Sequence, residues 1–199
     1  RGAALYAENC AACHGETGKA DGPNAAGLDP PPIAFANAER ARQRSVFGLY
    51  QVIQQGLDGT AMASYANLPS DDRWDLAFYV GRFAFSDAEA AAGEKIWNED
   101  AAVRARFPDL QTLTQTTPAA LATAVGETKA RALTAYLRRH PEVVTRTGGG
   151  SLDVARQKLA ASLKAYEAGD RKAAADLALA AYLDGFEPVE PSLGARDPA

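Results

Sequence analysis

Side chains that ligate soft metals are scarce: 199 residues hold two cysteines, two histidines and one methionine. A framework of several disulfides is therefore excluded. A four-ligand zinc site would have to take every cysteine and histidine, although His140 lies far along the chain from the others. A surplus of one charge sign is also lacking. The net charge is -4, and dividing the chain after Ser86 leaves 7 Lys+Arg against 9 Asp+Glu before the division and 14 against 16 after it. Neither part has the basic excess that nucleic acid or an anionic bilayer demands, so no nucleic-acid partner is expected. No run of about eighteen apolar residues marks a membrane span. Even "AAADLALAAYLDGF" carries Asp176 and Asp184. The opening "RGAALYAENC" lacks the charged start, apolar middle and small-residue cleavage site of a secretion signal, which is expected to have been removed or left out. The composition, 47% hydrophobic and 23% charged, is that of an ordinary folded chain.

The scarce residues are concentrated. "NCAACHGETG" places Cys10, Cys13 and His14 in a C-x-x-C-H pattern. A redox dithiol of the thioredoxin kind would follow a buried strand, whereas "RGAALYAEN" reads as a helix with Leu5 and Tyr6 apolar. The remaining reading is covalent haem attachment. Two thiols at this spacing reach the two haem vinyl groups, and the next residue is carried beneath the iron as its proximal ligand. A low-spin electron carrier needs a sixth ligand, commonly a methionine sulfur. Met62, the one methionine, lies 48 positions beyond His14 in "GLDGTAMASY", where Gly56 and Gly59 allow the backbone close to a flat cofactor.

The segments "GAALYAENCAACHG", "GLDPPPIAF", "GLYQVIQQGLDGTAMASY" and "LPSDDRWDLAFYVGRF" together resemble the class I c-type cytochromes over Gly2 to Phe85. The resemblance implies one covalent haem c on Cys10 and Cys13, with His14 and Met62 as axial ligands. It also implies that a proline carbonyl accepts a hydrogen bond from the proximal imidazole, the candidates being Pro30, Pro31 and Pro32. Arg42 and Arg44 are candidates for a propionate contact, solvation being the alternative.

Pattern predicts an all-α protein: a cytochrome c domain followed by a helical region ending in a helical hairpin. One helix is expected from about Ser45 to Gln55, stopped by Gly56. Another is expected to have a capped start at Ser70, after Pro69, with Asp71 and Asp72 at its positive end, and to run to about Phe83. Past the haem domain (1-86), "GEKIWNEDA" repeats "GAALYAENC" at an offset of 91 positions, and "ALTAYLRR" repeats "DLAFYVGR" at an offset of 57. Residues 87-146 are thus either a degenerate, haem-less cytochrome-like unit or a chance likeness between two alanine-rich helix pairs. "TRTGGGS" marks a linker at 147-150, and residues 151-199 read as a helical hairpin whose faces two helices alone cannot both bury.

The ending "AYEAGDRKAAADLALAAYLDGFEPVEP" resembles the extracytoplasmic region of the oxidase-linked iron permease family, bacterial members of which can carry a fused cytochrome. That resemblance implies a membrane permease domain C-terminal to this chain and Glu187 and Glu190 as candidate iron ligands, solvated glutamates being the other reading. The expected function is haem electron transfer without a catalytic site beyond the haem. The setting is periplasmic or extracytoplasmic, with ferrous or ferric iron and a redox protein as partners. The alternatives are an iron-binding or redox-sensing module, a haem with an open iron position, and the cytochrome subunit of an unrelated oxidoreductase.

Overall fold

The structure, a computed structural model, describes residues 1-147 and 151-187. Among these residues there are helices and no strand, the expected all-α class. None of the helices is long and apolar enough to cross a membrane. The chain divides into a unit of residues 1-144 and a second from 145 onward.

In the first half of unit 1, helices α1 (Gly2–Asn9), α2 (Ala11–His14), α3 (Ala38–Arg42), α4 (Val46–Gln55) and α5 (Ser70–Val80) enclose a core of Tyr6, Val46, Leu49, Ile53, Leu76, Ala77 and Val80. α4 begins where the Ser45 side chain accepts from Gly48 N at 3.0 Å, a capping bond that satisfies one of the free amide groups at a helix start. α5 differs from expectation at both ends. Ser70 is its first helical residue rather than its cap, because its hydroxyl lies 3.2 Å from the Tyr50 hydroxyl; Pro69 precedes the helix with extended backbone. The helix stops at Val80, and residues 81-84 continue as turns.

The second half comprises α6 (Asp87–Glu99), α7 (Ala101–Arg104), α8 (Leu110–Gln115), α9 (Pro118–Val125) and α10 (Glu127–Leu137). A Ser86 and Glu89 capping box starts α6. The two helix pairs cross through the same contact. A Cβ on Gly2 would lie 2.5 Å from Asp75 O and 2.9 Å from Tyr79 Cβ. One on Gly93 would strike Ala132 O and lie 2.8 Å from Tyr136 Cβ. Offsets of 91 and 57 map each of these residues onto its counterpart, and they also map buried Tyr6 onto buried Trp97 and Leu76 onto Leu133. The positions equivalent to Cys10, Cys13 and His14 are Ala101, Arg104 and Ala105, and a cluster including Val103, Phe107, Leu113, Leu121 and Val144 fills this half with hydrocarbon.

Because backbone sits where a side chain at Gly93 would go, Gly93→Val is expected to destabilise the unit by about 1–3 kcal/mol, the usual cost of overpacking. A lowered urea midpoint for unfolding is the check. An unchanged midpoint would contradict the close crossing.

The two halves of unit 1 are joined by arginines on α10 and just beyond it. Arg131 donates to Ala84 O, Arg138 to Gly81 O and Arg44 O, and Arg139 to Phe85 O.

α11 (Glu142–Thr147) spans the division between the units, so only 148-150 of the expected linker lie outside the described residues. In unit 2, α12 (Ser151–Glu167) and α13 (Arg171–Ala181) pair in opposite directions. Ser162 Oγ donates to Ala174 O, Lys158 pairs with Asp184, and Gly185 packs on Ala155. Small residues form this seam, which leaves Leu159, Leu163, Tyr166, Leu179 and Leu183 exposed, as expected for two helices alone. A single π-helical turn over Tyr182–Phe186 precedes Glu187.

Candidate haem site

Cys10 occupies the break between α1 and α2, and its carbonyl accepts from both Cys13 N (3.2 Å) and His14 N (2.9 Å). One helical turn therefore carries the two thiols and the imidazole, with Cys10 and His14 four positions apart on one face. Neither thiol is in a disulfide. Burial, and then the neighbouring Cys13, push the Cys10 thiol up to about 11. A redox dithiol instead depends on a depressed pKa at its attacking cysteine. Among the described residues no cluster of three His, Cys, Asp or Glu side chains is arranged to hold a metal ion.

His14 is buried, at 8% exposure, and stacks on Phe35 with ring centroids 4.4 Å apart. Its Nδ1 lies 3.0 Å from Ile33 O. A carbonyl only accepts, so Nδ1 carries the proton and the lone pair is left on Nε2. Desolvation lowers the imidazole pKa, with the Ile33 hydrogen bond opposing, and the neutral ligand form is favoured. The carbonyl expected from Pro30, Pro31 or Pro32 is thus supplied by Ile33, the first residue past them. The proline run stiffens the approach, and the chain turns its carbonyl toward the ring one residue later.

Met62 is half-buried on a compact loop leaving α4. Gly56, at φ +72°, lets the chain reverse so closely that a Cβ there would lie 2.7 Å from Met62 O. Leu57 N then bonds Met62 O at 3.0 Å, and Met62 N bonds Thr60 Oγ1 at 3.1 Å. Tyr65, which the motif reading passes over, ties this loop to the attachment turn. Its hydroxyl donates to Asn9 O at 2.8 Å, and burial together with nearby Cys10 and Cys13 raises its pKa. Tyr6 does the same for the other end of the turn, donating to Gly15 O at 2.7 Å.

The remaining expected residues have the following partners and settings. Arg42 is spent on Glu127, with Nη2 2.9 Å and Nε 3.2 Å from Oε2, so it does not serve the site; its planar fork meets a carboxylate of the second half instead. Arg44 offers its backbone carbonyl to Arg138. Tyr50 and Trp74 stack at 4.2 Å as half-buried wall, and exposed His140 lies 3.3 Å from Glu142. Glu187 is exposed in unit 2, and Glu190 lies outside the described residues.

The Cytochrome c family matches residues 1-83. These residues are a cytochrome c domain. The family implies covalent haem c, and the donor set of the domain fits it: two free thiols and a neutral imidazole with Nε2 unprotonated, all on one turn. No curated protein matches the chain. Among solved structures, a chain of the Kuenenia stuttgartiensis reducing HAO-like protein complex is similar at a TM-score of 0.37 and 16% identity, over 68% of this chain and 93% of that one. A likeness that slight carries no argument.

Proposed function

We propose that the cytochrome c domain carries a single haem c, bonded through Cys10 and Cys13 and ligated by His14 and Met62, and that it passes single electrons between protein partners. The observation that carries this reading is the His14 Nδ1 contact with Ile33 O, which holds the imidazole in its ligand tautomer on the same turn as both thiols. When bound, the haem supplies the one-electron couple. The chain keeps the site rigid around it. Ile33 and Phe35 fix the His14 ring, and Tyr6 and Tyr65 bond carbonyls on either side of the attachment turn. Val46, Leu49, Leu76 and Ala77 exclude water from the core. Rigid ligand positions suit electron transfer, in which little should move between the two redox states.

The test is the absorption spectrum of the chain purified from a host competent in cytochrome maturation. A methionine-sulfur-to-iron charge-transfer band is expected in the oxidised protein and should vanish in Met62→Ala. If the band persists in that variant, the ligand assignment is wrong.

The finer setting is proposed as well. Residues 87-146 are a degenerate, haem-less copy of the cytochrome fold, supported by the matched Gly2 and Gly93 crossings. The chain serves an iron-uptake permease outside the cytoplasm. There it accepts one electron from each ferrous ion oxidised and hands it to a redox protein, with a membrane domain following this segment. Support for that setting is the sequence of the C-terminal hairpin, where Glu187, and Glu190 after it, offer hard oxygen donors suited to iron.

A further inference from the structure

We propose that Arg138, which lies outside the cytochrome c domain, binds a propionate of that domain's haem, so that the second half of unit 1 completes the cofactor site of the first. This rests on the haem reading above. Arg138 is 4% exposed, yet no carboxylate lies within ion-pair distance of it among the described residues. Its Nη1 donates to Gly81 O at 2.7 Å and its Nη2 to Arg44 O at 2.5 Å, which uses two of five donors and leaves the unit charge without a counter-ion. Buried charges in folded proteins are ordinarily paired. Burial alone draws the Arg138 pKa down to about 10, and no carboxylate opposes it.

The guanidinium borders a cavity of about 20 Å³ that has no acidic residue in its wall. Arg40 and Arg44 also line it, so three of the residues in its wall are arginines. Ile33 and Phe35 form another part of the wall, and these two residues hold His14. One water needs roughly 10–15 Å³ of such space. The cavity therefore accepts the head of a carboxylate but not a whole organic acid, and the carboxylate must belong to something anchored beside it. A porphyrin ligated by His14 is anchored there and carries two such groups. Of the charged groups on the neighbouring elements, Arg131 pairs with Glu89, Arg139 with Asp87 and Arg42 with Glu127, while Glu39 on α3 is exposed to solvent.

The test compares the midpoint potentials of full-length, haem-loaded wild type, Arg138→Lys and Arg138→Met from about pH 5 to about pH 9, a range that spans an ordinary carboxyl pushed upward by burial. With Arg138 in place the carboxylate stays ionised. In Arg138→Met it loses its cation, its pKa rises, and the potential is expected to climb as pH falls relative to wild type. Covalent haem and the methionine-to-iron band should remain. Arg138→Lys, which keeps the charge, should restore much of the wild-type profile. Arg44→Gln, on the exposed rim, is expected to shift the profile in the same direction by less, and it serves if Arg138→Met does not accumulate. Profiles superimposable on wild type in these variants overturn the proposal. So does a wild-type potential that follows chloride concentration, because a free anion would then fill the cavity. A wild-type chain without covalent haem defeats the haem reading itself, whereas a pigmented wild type with unmoved variants defeats only this assignment.

Discussion

Replacing Cys10 and Cys13 together by serine is expected to abolish covalently held pigment in the purified chain. Both thiols are free, half-buried and on one turn with His14, and a serine hydroxyl does not form the thioether that a cysteine thiol forms with a vinyl group. Each single variant keeps one attachment point and should retain pigment in reduced yield. The measurement is acid-acetone extraction: colour should stay with the wild-type and single-variant protein, and any colour in the double variant should leave with the solvent. Pigment that resists extraction from the double variant would refute attachment at these residues. The Cys10 thiol, pushed up to about 11 by burial and then by Cys13, is also poorly suited to disulfide exchange near neutral pH.

Truncating Trp97 to alanine should be among the most damaging single changes to stability in unit 1. The side chain is 1% exposed and packs against Phe107 with centroids 6.1 Å apart, at the position where the cytochrome c domain has Tyr6. Removing so large a buried aromatic group costs about 3–5 kcal/mol, a large share of the ~5–15 kcal/mol that keeps a domain folded. The expected result is a fall in urea midpoint at unchanged slope. Tyr6→Ala should cost a comparable amount and in addition release Gly15 O, the carbonyl that closes the attachment turn. A loss below about 1 kcal/mol for Trp97→Ala would mean that the second half is not built around this residue.

What could be read from the chain alone follows the range of the forces involved. Cys10, Cys13 and His14 were legible as a group because bonds from residue i to i+4 place them on one turn whatever the rest of the protein does. The start of α4 was fixed locally in the same way, by a serine three positions before the amide it caps. The internal likeness at offsets of 91 and 57 was also visible, since a close helix crossing requires glycine at Gly2 and at Gly93 alike.

Other features needed the folded molecule. The carbonyl facing His14 belongs to Ile33 and not to Pro30, Pro31 or Pro32 because Phe35, two residues on, is held against Tyr6, Phe83 and the His14 ring, contacts which no local spacing encodes. Ser70 lost its capping role to Tyr50, twenty positions away. Arg42 found Glu127, and Arg138 found Gly81 and Arg44, across 57 to 94 positions. The sequence by itself thus determined the helical class and the turn that groups Cys10, Cys13 and His14, both set by neighbours in the chain. Only the tertiary structure decided which carbonyl orients the imidazole and which arginine lies buried at the cavity that Ile33 and Phe35 also line. Those choices depend on surfaces brought together by burying apolar area, and that free energy is indifferent to distance along the chain.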